Sequence, residues 1–234
     1  MEMRAVARLS GTDAIHPPSA VMKSPLRPAP RGFTLIELLV VIVIIAILAS
    51  LAVPVANLVM RKADQVRTQK TMKDIVVAIN HYRTEYNRFP INPEDATGGD
   101  TDMEPFLTDG NSTPIINILM ANTTTGADDM NPRKIKFVDI PFAKNNNQFG
   151  IIDPSGGSGD GTPVRLVDIW GLPYVVALDT NYDNRIENPD KQNNDMLISS
   201  RAPEFLSASA IIFSYGPDKQ RTTKDDIVSW RSSR

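Results

Sequence analysis

The sequence predicts an α+β protein in which one long N-terminal helix packs on a small antiparallel β-sheet. Residues 38–60 form a stretch without a single charged side chain. Residues 61–90 then carry apolar side chains mostly three or four positions apart, the spacing of one helix face. Three short β-type runs follow residue 163, and turn-forming segments separate them. We therefore expect the helix to supply the packing partner of the sheet.

Charge and composition restrict the possible functions. The chain has 234 residues, with 25 Lys and Arg against 27 Asp and Glu, so we expect no nucleic-acid partner. Residues 1–32 hold five of the basic and two of the acidic residues, which leaves 20 basic and 25 acidic residues behind them. There is no cysteine, which excludes a disulfide framework, a Cys-ligated zinc site and a thiol nucleophile. With His16 and His81 as the only histidines, a His-based triad or multi-histidine metal site is not expected.

The apolar stretch is long enough to cross a membrane. A bilayer core of about 30 Å needs roughly 20 helical residues. Basic residues before the stretch and an acidic chain after it predict an N-terminus in the cytoplasm and a head outside. A buried core helix, a simple membrane anchor and a secretory signal peptide cut after Ala52 are the alternatives.

Glu37 is not explained by those alternatives. A carboxylate at mid-bilayer costs on the order of 2.5–3.5 kcal/mol and needs a partner. No Lys, Arg or His lies one helical turn away. Cleavage after Gly32 would create an α-amino group on Phe33, near Glu37 on the same helix face, and so supply the missing cation.

The segment from Arg31 to Glu37, RGFTLIE, together with the apolar stretch resembles the prepilin-type cleavage and methylation motif. This motif is typical of type IV pilins and type II secretion pseudopilins. The resemblance implies that a prepilin peptidase cuts after Gly32 and N-methylates Phe33. It also implies that Glu37 pairs with the amine of a neighbouring subunit during assembly. Pro54 matches the helix-kinking proline of the family, and a kink or local melting is expected there.

These features divide the chain into five parts. The leader, residues 1–32, is expected to be removed, and we hypothesise that Met22 is its true start. The other parts are a membrane and assembly helix (33–60), an amphipathic helix (61–90), a loop-rich insert (91–163) and a β-sheet head with an acidic C-terminal loop (164–234).

The amphipathic part predicts one apolar stripe and a helix of about 55 residues in total, ending at Asn87 and Pro90. The stripe comprises Val66, Met72, Ile75, Val76, Ile79, Tyr82, Tyr86 and Phe89. In the insert and head we expect a short helix at Pro114–Ala121 and a flexible loop at Asp153–Gly161. The expected strands are Ile135–Ile140, Tyr174–Leu178, Met196–Ser199 and Ala210–Tyr215.

A turn with two aromatic residues precedes the expected sheet. It reads Asp168-Ile169-Trp170-Gly171-Leu172-Pro173-Tyr174 and resembles the D-x-W-G-x-P-Y element of major pseudopilins. Gly171 and Pro173 favour a turn, and Trp170 and Tyr174 are suited to anchoring it in the core. An aromatic binding cage is the alternative.

Two acidic segments are candidate calcium sites. The first has the oxygen spacing of a calcium loop, with Asn184 where glycine is usual and Arg185 adding a positive charge. Its candidate ligands are Asp179, Asn181, Asp183, Glu187 and Asp190. The second resembles the C-terminal loop that calcium closes in major pseudopilins. Its implied ligands are Ser214, Asp218, Asp225 and Asp226. The alternatives are an ordinary polar turn for the first and charge compensation by Lys219 and Lys224 for the second.

The resemblance implies a structural subunit of a type II secretion pseudopilus and no enzymatic activity. Expected partners are other copies of the chain in a helical homopolymer, the prepilin peptidase, minor pilins or pseudopilins, and the inner-membrane assembly platform. Membrane lipid would surround the helix before assembly, with the head in the periplasm. The alternatives are a type IV pilus subunit, a cargo- or sugar-binding module on a pilin stem, and a membrane-anchored enzyme.

Overall fold

A computed structural model describes residues 32–93, 99–110, 114–122, 127–144, 149–154 and 163–231. The leader and its hypothesised start lie outside these residues, as does most of the expected loop at Asp153–Gly161. The described part divides into two compact units, with the boundary between Ser50 and Leu51.

The described helices and strands follow the expected α+β class. The helices are α1 (Leu35–Tyr86), α2 (Ile115–Met120), α3 (Ala127–Met130) and α4 (Met196–Ser199), with a 3₁₀ turn at Pro189–Gln192. The strands are β1 (Phe106–Leu107), β2 (Gly150–Ile152), β3 (Arg165–Val167), β4 (Val175–Leu178), β5 (Ile186–Glu187), β6 (Phe205–Leu206), β7 (Ala210–Ser214) and β8 (Ile227–Val228).

Helix α1 has 52 residues, close to the predicted length. The helix continues across Pro54, so the local melting expected at this residue is not observed. The helix ends where Asn87 adopts a left-handed φ of 53°. The N–H of Asn87 donates to the carbonyl of Arg83 at 2.8 Å, which satisfies one of the last carbonyls of the helix.

The core of the second unit lies between one face of α1 and the sheet. Within the described residues, β1, β4, β7 and β8 form an antiparallel sheet in that order, and Val176 of β4 is paired with Ile212 of β7. Both residues belong to the main apolar cluster. The face of α1 that joins the cluster is fully buried and consists of Met72, Ile75, Ala78, Ile79 and Tyr82.

Two of the expected strands are wrong. Residues 196–199 form a helical turn instead, because Asp195 caps it by accepting the N–H of Leu197 at 2.8 Å. Residues 135–140 join no strand in the described chain. The side chains of these residues alternate between more and less buried positions, as in a strand. The segment is nevertheless bound to the end of α2, because the N–H groups of Phe137 and Val138 donate to the carbonyl of Leu119.

We expect Ile79→Ala to lower the free energy of unfolding of the head by about 2–5 kcal/mol, because it leaves a cavity in a fully buried position. Val77→Ala, on the same helix at a side chain that is 51% exposed, is the control and should change it by less than about 0.5 kcal/mol. Urea titration of the full chain in detergent micelles, followed by tryptophan fluorescence, measures both. Equal losses would contradict the assignment of the buried face.

Candidate functional site

The peptide bond between Gly32 and Phe33 is accessible. Phe33 is 75% exposed, and a Cβ placed on Gly32 would meet no atom within 4 Å. The large apolar side chains from Phe33 to Leu48 are 44–82% exposed. Among the described helices, α1 is the one that is long and apolar enough to cross a membrane. An apolar surface of this extent needs lipid or other helices to cover it.

Glu37 and Thr34 form a reciprocal cap at the start of α1. Oε2 of Glu37 accepts the backbone N–H of Thr34 at 2.8 Å and its hydroxyl at 2.7 Å. The hydroxyl oxygen of Thr34 in turn accepts the N–H of Glu37 at 3.3 Å. This is a capping box, and it satisfies backbone donors that the first helical turn leaves unpaired. All of these bonds at the carboxylate use Oε2, so Oε1 remains available to a cation.

Asp168 holds together the turn that precedes β4. Its Oδ1 accepts the N–H groups of Trp170 and Leu172, each at 2.9 Å, and its Oδ2 accepts the hydroxyl of Ser214 at 2.6 Å. Burial raises the pKa of Asp168, and these hydrogen bonds to the ionised form oppose that effect. Tyr174 is fully buried, so its ring cannot line an open aromatic cage.

The C-terminal loop begins directly after Ser214. The N–H of Gly216 donates to the Ser214 hydroxyl oxygen at 3.1 Å. This buried hydroxyl therefore accepts one hydrogen bond and donates another, to Asp168. Gly216 has a φ of 70°, and a Cβ there would lie 2.2 Å from the carbonyl oxygen of Asp225. Only glycine therefore allows the two ends of the loop to approach so closely. Among the expected ligands, the side chains left for calcium are Asp218, Asp225 and Asp226.

Asp226 is the most perturbed carboxylate of this loop. It accepts the N–H of Thr222 at 2.9 Å and a longer bond of 3.4 Å from the hydroxyl of Thr223. Partial burial raises its pKa to about 6, with a further contribution from the negative charge of Asp218. In the described residues neither Lys219 nor Lys224 forms a salt bridge with these carboxylates.

The first candidate calcium segment is divided between two places. Asp179, Asn181 and Asp183 share the turn after β4, whereas Glu187 lies exposed in β5. Asp190, expected at the twelfth position of the calcium loop, instead contacts Trp230 and Arg231 near the end of the described chain. Its Oδ2 accepts the ring N–H of Trp230 at 2.9 Å, and its Oδ1 accepts a guanidinium N–H of Arg231 at 3.0 Å. Asp190 is therefore engaged with Trp230 and Arg231, and calcium binding by the twelve-residue segment stays a prediction.

The contact of Asp190 with the C-terminus extends to α1. The side-chain amide of Gln69 donates to the carbonyl of Arg231 at 2.9 Å. Asp190 and Gln69 thus fasten the last described residues to the head from two sides. Within the described ranges, no three Asp, Glu or His side chains lie close enough together to form a ready metal site. A cation in either acidic loop would need amide or carbonyl oxygens as additional ligands.

Comparison with known proteins identifies the N-terminal segment. The family model of the prokaryotic N-terminal methylation motif matches residues 27–53. A type II secretion system core protein G from Klebsiella michiganensis is 48% identical over 67 residues, which cover 27% of this chain and 45% of that protein. The protein of the same name from Escherichia coli K12 is 28% identical over 208 residues, covering 87% of this chain and 93% of that protein.

A third relative, the core protein G of Aeromonas hydrophila, is 50% identical over 62 residues, or 25% of this chain and 41% of that protein. The chain thus aligns with less than half the length of the Klebsiella and Aeromonas relatives, and with nearly all of the Escherichia coli protein. No solved structure matches it.

The methylation motif and the similarity to core protein G together support a pseudopilin or type IV pilin family.

The capping box formed by Thr34 and Glu37 was not predicted from the sequence. The signal was present, because Thr34 and Glu37 have the S/T-x-x-E spacing that starts many helices. The role of Asp190 was also missed, and here no local pattern signals a contact with residues 40 positions away.

We expect the head to lose stability between about pH 4 and pH 7 in EDTA, because of Asp226. Its pKa of about 6 lies above the unfolded value, so the folded state binds this proton more tightly. The resulting stabilisation is present below about pH 4 and is lost as the pH rises through 6. Allowing for partial exposure, it amounts to about 1 kcal/mol.

Urea titrations of the full chain at a series of pH values measure this loss. Asp226→Asn should remove that part of the pH dependence, whereas Asp225→Asn, which deletes one neighbouring charge, should leave it in place. The same slope in wild type and Asp226→Asn would contradict the assignment.

Proposed function

We propose that the chain is a structural subunit of a type II secretion pseudopilus-like fibre, processed by a prepilin peptidase and assembled through α1. The methylation motif in front of an exposed apolar helix is the observation that carries this proposal. The relatives described above are type II secretion proteins, which favours a secretion fibre over a type IV pilus. The proposed role is structural, and no catalysis is part of it.

The physical basis is the apolar surface of α1. Before assembly, lipid would cover the side chains of residues 33–60, with the N-terminus in the cytoplasm and the head in the periplasm. In a fibre, the same helices from neighbouring copies would cover one another. Further partners of the proposed assembly are minor pseudopilins and the inner-membrane assembly platform.

Glu37 would set the register of this packing. Its carboxylate is held by Thr34 through Oε2, which leaves Oε1 to accept a bond from the N-terminal amine of Phe33 on a neighbouring subunit. A subunit in the wrong axial position would leave a charged group unpaired in an apolar core. The pair would therefore act mainly by penalising wrong arrangements.

Calcium in the C-terminal loop is part of the same proposal. In the described part of the chain no lysine forms a salt bridge with Asp218 or the partly buried Asp226, and Asp225 lies at the closure point beside Gly216. These residues fit a cation that accepts carboxylate and carbonyl oxygens. Calcium added to the pH series above should remove the pH dependence caused by Asp226. If the slope persists at saturating calcium, this part of the proposal fails.

Processing is the first test of the proposal. In cells that contain the prepilin peptidase, we expect the mature chain to begin at N-methylated Phe33, because the bond after Gly32 is exposed in a matching motif. In peptidase-deficient cells the leader should remain attached. Intact mass spectrometry with N-terminal sequencing measures both. A chain cut after Ala52, or one uncut in both strains, would overturn the proposal.

Charge at position 37 is the second test. Glu37→Gln keeps an acceptor oxygen for Thr34 but removes the charge, so we expect normal cleavage and a loss of most fibres. Thr34→Ala removes the cap, at a cost of about 0.5–2 kcal/mol to the helix, but keeps the charge and should still assemble. Electron microscopy and crosslinking of cells that overproduce each variant give the readout. Normal fibres from Glu37→Gln would refute the pairing.

A further inference from the structure

A basic segment follows directly after the apolar part of α1. Residues 61–73 carry five basic side chains and one acidic side chain, that of Asp64. Taking these away from the 20 basic and 25 acidic residues that follow residue 32 leaves 15 basic and 24 acidic residues for the rest of the chain. A local excess of positive charge of this kind attracts anions. The basic residues of the segment are Arg61, Lys62, Arg67, Lys70 and Lys73.

Two of these residues already have partners within the described chain. The guanidinium of Arg67 lies 4.0 Å from the ring centre of Phe149. The ammonium of Lys70 lies 2.6 Å from the carboxylate of Asp74, one helical turn further along α1. The charges of Arg67 and Lys70 are therefore engaged by the head and by α1 itself.

Arg61 and Lys62 differ from these two residues. Both are exposed, and neither takes part in a salt bridge in the described residues, although Asp64 is close in sequence. Successive helical positions are about 100° apart around the axis, so the two side chains leave α1 in different directions. They are well placed to contact an anionic surface that surrounds the helix.

Arg61 and Lys62 are also the first charged residues beyond the apolar stretch. The side chains just before them, Leu58, Val59 and Met60, are 62–66% exposed. As a helix, the charge-free residues 38–60 span about 34 Å, slightly more than a hydrocarbon core of about 30 Å. In a membrane the two basic groups therefore fall in the headgroup layer. Residues 70 and 73 are at least about 12 Å further along the helix and lie beyond that layer.

Removal of the leader would make these two residues more important. The leader contains five basic residues, whereas residues 33–60 contain no Lys or Arg. After cleavage at Gly32, Arg61 and Lys62 are the basic side chains nearest to the apolar stretch. Long basic side chains at the end of a membrane helix extend to the interface and help to fix the position of the helix.

We propose that Arg61 and Lys62 bind the headgroups of anionic phospholipids at the outer surface of the membrane, and so fix the depth of α1 before assembly. This inference rests on the proposed insertion of α1 with the head outside. A guanidinium pairs with phosphate through two parallel hydrogen bonds, and an ammonium binds it as a point charge. A zwitterionic headgroup carries its own cation beside the phosphate, so an anionic headgroup is the favoured ligand.

Spin-labelled lipids test the headgroup contact. The full chain is reconstituted in phosphatidylcholine vesicles that contain a trace of spin-labelled phosphatidylglycerol or, for comparison, spin-labelled phosphatidylcholine. Electron paramagnetic resonance measures the fraction of each label that the protein immobilises. We expect a preference for phosphatidylglycerol that weakens at high salt and falls about twofold or more in Arg61→Gln/Lys62→Gln. The leader is the same in every variant, so differences between variants report the substituted residues.

Lys70→Gln/Lys73→Gln is the matched control. It removes the same charge from the same helix at two exposed positions, and the surface pair of Lys70 with Asp74 contributes little to stability. This variant should keep the wild-type lipid preference. An equal loss in both variants would show attraction by net charge alone and would overturn the proposal. An unchanged preference in Arg61→Gln/Lys62→Gln would overturn it as well.

The phosphatidylcholine label separates failure of this inference from failure of the proposed function. If neither label is immobilised, α1 does not enter the bilayer and both are wrong. If phosphatidylcholine is immobilised without any preference for phosphatidylglycerol, the membrane helix stands and the headgroup contact is wrong. Loss of fibres in cells with an unchanged lipid preference in Arg61→Gln/Lys62→Gln would assign the two residues to contact with another copy of the chain, which also overturns the lipid site.

Discussion

The rest of the structure depends on a constraint carried by α1. One continuous helix presents an exposed apolar surface over its first part and a single buried face over its last part. The second part can be amphipathic because the sheet covers one side of it. The first part has no such cover among the described residues of its own unit, so its environment must come from lipid or from other chains. In the proposed function, this division would let the same element anchor the head and assemble the fibre.

Within the head, the C-terminus is held by polar contacts rather than by a disulfide. Asp168 links the turn before β4 to Ser214 and so to the start of the C-terminal loop. Asp190 and Gln69 hold the residues that follow β8. A chain without cysteine can close its head in this way because the buried carboxylates of Asp168 and Asp190 each receive several donors.

The helix and the central strands could be predicted from sequence because their signals are local and repeated. The periodic apolar residues of α1 and the runs that became β4 and β7 are of this kind. Residues 196–199 were misjudged because four apolar or small residues suit either a strand or a turn, and the cap from Asp195 decides between them. The contact of Asp190 with Trp230 could not be predicted, since it depends on how distant segments meet. For the first candidate calcium segment, spacing pointed to Asp179, Asn181 and Asp183 but could not reveal that the N–H of Asn181 donates to Asp102 of the insert.

The outer strands of the main sheet, β1 and β8, are only two residues long. A long open edge would offer unpaired backbone groups to the next head, and crowded copies of such a protein tend to add strands to one another without limit. Edge strands of two residues offer few unpaired backbone groups to a neighbouring head. In the proposed fibre, polymer growth would then be left to the helix, and neighbouring heads would not join through added strands.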